Sequence, residues 1–67
     1  MTTYTYRTDA IHCDTEYQSI DEAVAAAIAE GEWDGIGSDR EQQYIDDGAW
    51  LCVYADGVPE FVRGTMG

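Results

Sequence analysis

The side chains in this sequence that could do acid–base or thiol chemistry are one histidine, His12, and two cysteines, Cys13 and Cys52. A general base needs a positioned proton partner, and His12 beside a strand cysteine provides no such arrangement. Neighbouring strand residues point to opposite faces, which argues against a Cys–His pair or a shared metal ion. No Cys-x-x-Cys spacing occurs, so a zinc site is not predicted. We expect no catalytic residue, metal or cofactor, and hence no enzyme, and we expect both thiols to be free and buried in a reducing compartment.

The three glycines between residues 31 and 37 could be mistaken for a phosphate-binding loop. Such loops open a helix after a strand and usually carry a lysine. Here the first glycine closes a predicted helix, the chain has no lysine, and the loop carries Glu32 and Asp34. The oxygen ligands that follow do not reproduce the order of an EF-hand calcium loop. We therefore predict neither a phosphate site nor a calcium site in this loop.

The net charge restricts the possible partners. The 67 residues include 14 Asp and Glu but only three arginines, which gives a formal net charge of −11. A surface this negative repels nucleic acid and anionic membranes, so the expected partner is a basic protein surface. The polar N-terminus lacks the apolar core of a signal peptide, and no apolar run approaches the ~20 residues of a membrane span. A cytoplasmic location is the corresponding prediction.

More than half of the excess negative charge lies within residues 30–47. This stretch contains seven carboxylates and one arginine, Arg40, so its net charge is −6. A chain of this length has an expected radius of gyration of ~11 Å, and duplex DNA spanning about 25 Å carries about 15 phosphates. The net charge of the chain is of the same order, so these carboxylates could occupy a groove built for nucleic acid. The predicted partner-binding residues are Glu30, Glu32, Asp34, Asp39, Glu41, Asp46 and Asp47.

The best-defined element that could position this stretch is a helix that precedes it. Ser19 followed by Glu22 is a capping-box pattern, alanines favour helix in the interior, and Gly31 supplies a left-handed C-terminal stop. Apolar residues recur on one side of the segment 20–28, so the helix is expected to pack on an apolar surface. Trp33, in the loop that follows, is expected to pin that loop to the core.

Two segments have the composition of strands that could receive the helix. Thr3–Arg7 alternates β-branched and aromatic residues. Residues 10–13 either continue this strand or return after a turn at residues 8–9. Ala49–Ala55 is a continuous apolar run suited to a central strand.

The C-terminal part of the chain has the pattern of a hairpin. Asp56-Gly57 is a two-residue turn signal, so Val58–Arg63 is expected to return as an edge strand, where Pro59 is tolerated. The pairs expected on this ladder are Cys52 with Phe61 and Leu51 with Val62.

Residues 39–46 fit two structures. Ser38 and Glu41 repeat the capping-box spacing, which allows a short helix. Asp47-Gly48, directly before the apolar run, is typical of a two-residue hairpin turn. We favour a strand over residues 40–46, with the short helix as the alternative.

These elements predict an α+β fold: one helix packed across a small antiparallel sheet, in a β(β)αβββ two-layer sandwich. Residues 1–67 form a single domain on this prediction, because a chain this short holds one core. The sequence leaves open which sheet face the helix covers. We expect a monomer.

The small size, lone helix, antiparallel meander and strongly acidic, lysine-free surface together resemble small phage-encoded anti-CRISPR proteins. Within this group the chain is similar to inhibitors of type I systems, several of which imitate DNA. The hairpin region from Asp47-Gly48 to Arg63 is the most recognisable part of the likeness. The resemblance implies an inhibitor of the crRNA-guided surveillance complex, bound in its large subunit where target duplex is admitted and its PAM is read.

The function predicted on this basis is stoichiometric inhibition by acidic DNA mimicry in the cytoplasm of an infected bacterial host. Charge reversal at Glu32, Asp34, Asp39 or Glu41 is expected to lower affinity and leave the fold intact. One alternative is a DNA mimic directed at another host DNA-binding protein. A second alternative is a salt-adapted acidic protein with a structural or interaction role, which would need high salt to stay folded.

Overall fold

A computed structural model describes residues 1–65 as a four-stranded antiparallel sheet with two helices. The strands lie in the order β2-β1-β3-β4, so β1 and β3 are central and β2 and β4 are the edges. This arrangement confirms the α+β two-layer fold class, but with a second helix in place of one predicted strand. The elements are β1 (Tyr4–Thr8), β2 (His12–Tyr17), α1 (Ile20–Ala29), α2 (Asp39–Asp46), β3 (Trp50–Ala55) and β4 (Val58–Gly64).

Helix α1 has the predicted start and stop. The Ser19 Oγ accepts a hydrogen bond from the Glu22 amide at 3.1 Å. The Glu22 carboxylate in turn accepts from the Gln18 amide at 3.2 Å, one residue before the capping serine. Gly31 has a φ of +76°, and the Glu32 amide donates back to the Ala27 carbonyl at 2.9 Å. This pattern is a Schellman C-cap, which satisfies carbonyls that the last turn leaves free.

The strand favoured for residues 40–46 is wrong, because the segment is helix α2. The Ser38 Oγ accepts from the Glu41 amide at 3.1 Å, as the capping-box spacing allowed. Gly48, with a φ of +92°, ends the helix, and the Ala49 amide donates to the Tyr44 carbonyl at 2.8 Å. A glycine with positive φ serves a helix C-cap as well as a hairpin turn. The choice is made by β3, whose two sides pair with β1 and β4 and leave no place for another strand.

The predicted Asp56-Gly57 turn is confirmed, with φ values of +51° and +86° that are typical of a type I′ hairpin. The predicted register beyond the turn is wrong by one residue. Val53 lies opposite Phe61, and Cys52 lies opposite Val62, because the register shifts between Val53 and Tyr54. Tyr54 pairs with Pro59, which has no amide hydrogen for the ladder, and Glu60 is the extra residue of the resulting bulge. Leu51 is consequently opposite Arg63.

The N-terminal segments form a hairpin, which decides between the two alternatives for residues 10–13. Thr8 Oγ1 accepts hydrogen bonds from the Ala10 and Ile11 amides at 3.2 and 3.1 Å, and the chain then returns as β2. Strand β1 pairs with β2 on one side and with β3 on the other. The first strand of the chain therefore lies inside the sheet.

One face of the sheet carries the core. The α1 residues Ala23 and Ala27 and the loop residue Trp33 pack there against strand residues, and Phe61 lies at the margin of the same cluster. Cys52 is also fully buried but points to the opposite face, since its neighbours Leu51 and Val53 belong to the core. Trp33 is 3 % exposed, so the loop is pinned as predicted. The buried core residues are Tyr6, Ala23, Ala27, Trp33, Leu51 and Val53.

Candidate partner-binding surface

The seven predicted binding carboxylates follow one path along the chain, from the end of α1 through the loop to the end of α2. We call residues 30–47 the acidic segment. Six of its seven carboxylates lie at or near the surface, and one is buried. Glu30, Asp39, Asp46 and Asp47 are exposed, Glu32 and Asp34 are half-buried, and Glu41 is buried.

Glu41 is therefore a correction to the predicted set. Its side chain is 2 % exposed and forms an ion pair with Arg63, whose Nη2 lies 2.5 Å from Glu41 Oε1. The Arg63 Nε donates to the other carboxylate oxygen at 3.1 Å, so the pair is bidentate. A carboxylate held in this way has no access to a partner. Charge reversal at Glu41 would leave Arg63 facing a like charge, so the expectation that the fold survives this change is wrong.

Two further donors complete the environment of Glu41. Trp33 Nε1 donates to Glu41 Oε2 at 2.7 Å, and the Gly37 amide donates to Oε1 at 2.9 Å. Glu41 thus connects the loop, α2 and β4. The Arg63 guanidinium is the main cause that lowers the pKa of Glu41 from 4.5 to about 2; the hydrogen bonds from Gly37 and Trp33 act in the same direction, against the effect of burial.

The position of Glu41 within α2 was enough to predict part of its environment. It stands at the third position of α2, and long side chains on a helix point back towards its N-terminus. That direction leads to Gly37 and Trp33. The pairing with Arg63, 22 residues away, has no local signal.

Hydrogen bonds orient three of the six remaining carboxylates. Asp34 accepts from the Gly35 amide at 2.7 Å and lies 3.4 Å from the Arg40 guanidinium. Asp46 accepts from the Gln42 side-chain amide at 3.0 Å. Glu30 accepts from the hydroxyl of the buried Tyr6, and burial, with this hydrogen bond as a further cause, raises the pKa of that phenol. Fixing carboxylates in advance lowers the entropy that is lost when a partner orders them.

Both helices carry negative side chains at their C-terminal ends, which are also the negative ends of the helix dipoles. Glu30 is the C-cap residue of α1, and Asp46 and Asp47 are the last residue and the C-cap of α2. Neither helix has a basic residue in its last turn. Negative charge at a helix C-terminus is unfavourable, typically by about 0.3–1 kcal/mol at low salt. These positions hold negative charge where helix stability alone would select against it.

Two of the three arginines each neutralise one of the seven carboxylates of the acidic segment. Arg63 is held by Glu41, and Arg40 lies beside Asp34. Arg7 pairs with Cys52 in the sheet and points to the face opposite the helices. The acidic segment thus keeps most of its negative charge exposed on the helix-bearing side of the sheet.

The thiols and the histidine form no reactive arrangement among residues 1–65. Both cysteines are free; Cys52 is buried as expected, whereas Cys13 is half-buried and not buried as expected. Burial raises the pKa of the Cys52 thiol, which makes it a poor nucleophile at neutral pH. His12 lies 3.4 Å from Asp14 at the exposed edge strand.

Residues 1–65 contain no group of three or more His, Cys, Asp or Glu side chains that could hold a metal ion. No helix in the same range has the length and apolar character needed to cross a membrane. Comparisons with protein-family models, with curated proteins and with solved structures find no match for this chain.

Proposed function

We propose that this protein is a stoichiometric inhibitor that presents its acidic segment to a basic protein surface built to hold DNA. The target that we favour is the PAM-reading large subunit of a type I crRNA-guided surveillance complex, in the cytoplasm of an infected bacterial host. The protein performs no reaction on its target. Six carboxylates take the positions of DNA phosphates: Glu30, Glu32, Asp34, Asp39, Asp46 and Asp47.

The size and charge of the chain support this proposal. The molecule measures 35 × 24 × 18 Å and has a radius of gyration of 11.1 Å. Duplex DNA carries about 14 phosphates over 24 Å and about 21 over 35 Å. A net charge of −11 on a body of these dimensions is of the same order. A groove that attracts duplex DNA would therefore attract this protein electrostatically, and the attraction would speed encounter.

The placement of Glu30, Asp46 and Asp47 at helix C-termini supports the proposal most directly. A protein that is acidic only for solubility could carry its carboxylates at helix N-termini, where they stabilise the fold. This chain also places them at the opposite ends, where Glu30 is the first carboxylate of the acidic segment and Asp46 and Asp47 are the last two. Selection for negative charge along the whole length of the acidic segment accounts for this placement.

A salt-adapted acidic protein would have a similar composition, and its behaviour in salt would differ. Such a protein would require high salt to fold. Thermal melts at increasing salt concentration measure this requirement as a rise in Tm. Under our proposal the chain folds at low salt, and its binding to the target weakens steeply as salt rises.

The decisive experiment is affinity capture from a host lysate with two variants of equal charge. The segment variant carries Glu32→Gln, Asp39→Asn, Asp46→Asn and Asp47→Asn, and the control variant carries Asp9→Asn, Asp14→Asn, Glu16→Gln and Glu60→Gln.

We expect the wild type and the control to retain a DNA-processing complex that added duplex DNA releases, and the segment variant to lose it. Equal loss in both variants would show that net charge alone is responsible and would contradict the proposed site. Capture of a DNA-binding protein other than a CRISPR effector would support mimicry and replace the favoured target.

A further inference from the structure

An open apolar groove lies between α1, the loop after it and β4, separate from the carboxylates of the acidic segment. Its volume is about 380 Å³, within the usual range of ligand sites. Ile36 and Ile28 in its wall are 44 % and 37 % exposed. The lining residues are Ile20, Asp21, Val24, Ala25, Ile28, Ile36 and Phe61.

Helix α1 is more apolar than the sheet beneath it requires. All seven residues of the run Ala23–Ala29 are apolar, but only Ala23 and Ala27 are buried by the rest of the chain. A surface helix normally turns polar residues to solvent, and a helix that is apolar all round is normally covered on every side. The outer side of α1, which includes Ala25 and Ile28, therefore has the composition of a covered surface.

The charges around the groove define what could cover it. Asp21 is the one charged residue among the lining residues. No arginine lines the groove. An occupant that combines apolar side chains with positive charge therefore complements both this lining and the net charge of −11. A second copy of this chain would bring another net charge of −11 to the same place, which opposes self-association.

The shape of the groove favours a helical occupant. Ile20, Val24 and Ile28 are spaced at i, i+4 and i+8, so this wall extends over about 12 Å at 1.5 Å per residue. That length matches two turns of a facing helix with apolar residues at i, i+4 and i+7.

We propose that this groove binds an amphipathic helix of a basic partner protein. Apolar side chains of that helix fill the space between α1 and the residues Ile36 and Phe61, and a Lys or Arg side chain lies beside Asp21. The inference rests on the proposed function only in requiring a basic partner. The groove adds an apolar contact that a DNA duplex could not make with the same target. This contact would make the protein specific for one target over other DNA-binding proteins.

The test uses two synthetic peptides of roughly 18 residues, five turns of helix. Both consist of Leu and Lys in the same proportion; one has its leucines on one helix face, and the other has them spread evenly. We expect the amphipathic peptide to bind at least tenfold more tightly in moderate salt, with the negative heat-capacity change of apolar burial. Backbone amide shifts in NMR should be largest around Val24, Ile28 and Ile36.

Paired variants locate the site. Ala25→Gln places a larger side chain in the groove, and Ala29→Gln places the same side chain at an exposed helix position outside its lining. Ile36→Ser removes an apolar wall residue, and Val62→Ser changes a residue of similar exposure, 46 %, on another surface. The groove variants should weaken the amphipathic peptide about tenfold or more, and the controls less than twofold.

Several results would overturn the inference. These are equal affinity for the two peptides, equal effects of groove and control variants, or a dimer in solution that the groove variants dissociate. The outcome is separable from that of the proposed function. If both peptides bind equally and the segment variant still loses its cellular partner, the groove inference alone fails. If capture also yields no basic partner, both fail.

Discussion

Replacement of Glu41 by Gln tests whether the buried ion pair holds the loop, α2 and β4 together. The substitution keeps the size of the side chain and removes its charge. In the wild type, one carboxylate oxygen of Glu41 accepts hydrogen bonds from both Arg63 and Trp33. In the variant an amide N–H₂ group, which can only donate, could face these two donors. Removing one partner of a buried ion pair typically costs about 3–5 kcal/mol.

The pKa of Glu41 gives an independent magnitude. A fall from 4.5 to about 2, at 1.36 kcal/mol per pKa unit, corresponds to about 3 kcal/mol. Arg63 is 35 % exposed and can be rehydrated in part, which favours the lower end of the range. A domain of 67 residues has a total stability of roughly 3–10 kcal/mol, so this single contact is a large part of it. We expect a loss of about 3 kcal/mol and a Tm lower by roughly 12–24 °C.

The dependence on pH follows from the direction of this change. The pKa of Glu41 is lower in the folded state, so its stabilisation is complete above pH 4.5 and is lost as the pH falls towards about 2. The difference between wild type and Glu41→Gln isolates the contribution of this residue and should shrink across that window.

The assay is urea unfolding at several pH values, followed by tryptophan fluorescence and circular dichroism. Glu60→Gln, the same substitution at an exposed residue, is the control and should change the free energy of unfolding by less than about 0.5 kcal/mol. A Glu41→Gln variant within 1 kcal/mol of wild type at pH 7, or a difference from wild type that does not change with pH, would refute the reasoning.

Two further predictions concern backbone and helix-end charge. Gly64→Ala should destabilise the fold by at least about 2 kcal/mol, because a Cβ there would collide with the backbone entering β3; Gly57→Ala, with a similar φ and open space around it, should cost only about 1 kcal/mol. Equal losses of unfolding free energy in urea would contradict this. Asp47→Lys, at the C-terminal end of α2, should raise the free energy of unfolding by about 0.5–1 kcal/mol at low salt, whereas Asp39→Lys at its first turn should lower it. Both differences should diminish at 1 M NaCl, and a salt-independent effect would rule out the electrostatic explanation.

The sequence was sufficient where a structure depends on neighbouring residues. The Ser19 and Glu22 cap, the Gly31 stop and the Asp56-Gly57 turn are formed by residues within a few positions of one another, and all are present as predicted. Asp47-Gly48 was misread because the same positive-φ glycine can end a helix or turn a hairpin. The hairpin is excluded because β1, which is distant in the chain, pairs with one side of β3 while β4 pairs with the other.

Composition fixed the charge of this protein, since the number of Asp, Glu and Arg side chains does not depend on folding. Only the tertiary structure decided which of those charges reach solvent. Glu41 is buried because α2 packs beside β4, which brings the Glu41 side chain to Arg63. No local sequence pattern connects these two residues. The groove beside α1 likewise exists because Ile36 and Phe61, from a loop and a distant strand, converge there. Local patterns set caps and turns through short-range hydrogen bonds, whereas burial and pairing depend on contacts between segments far apart in the chain.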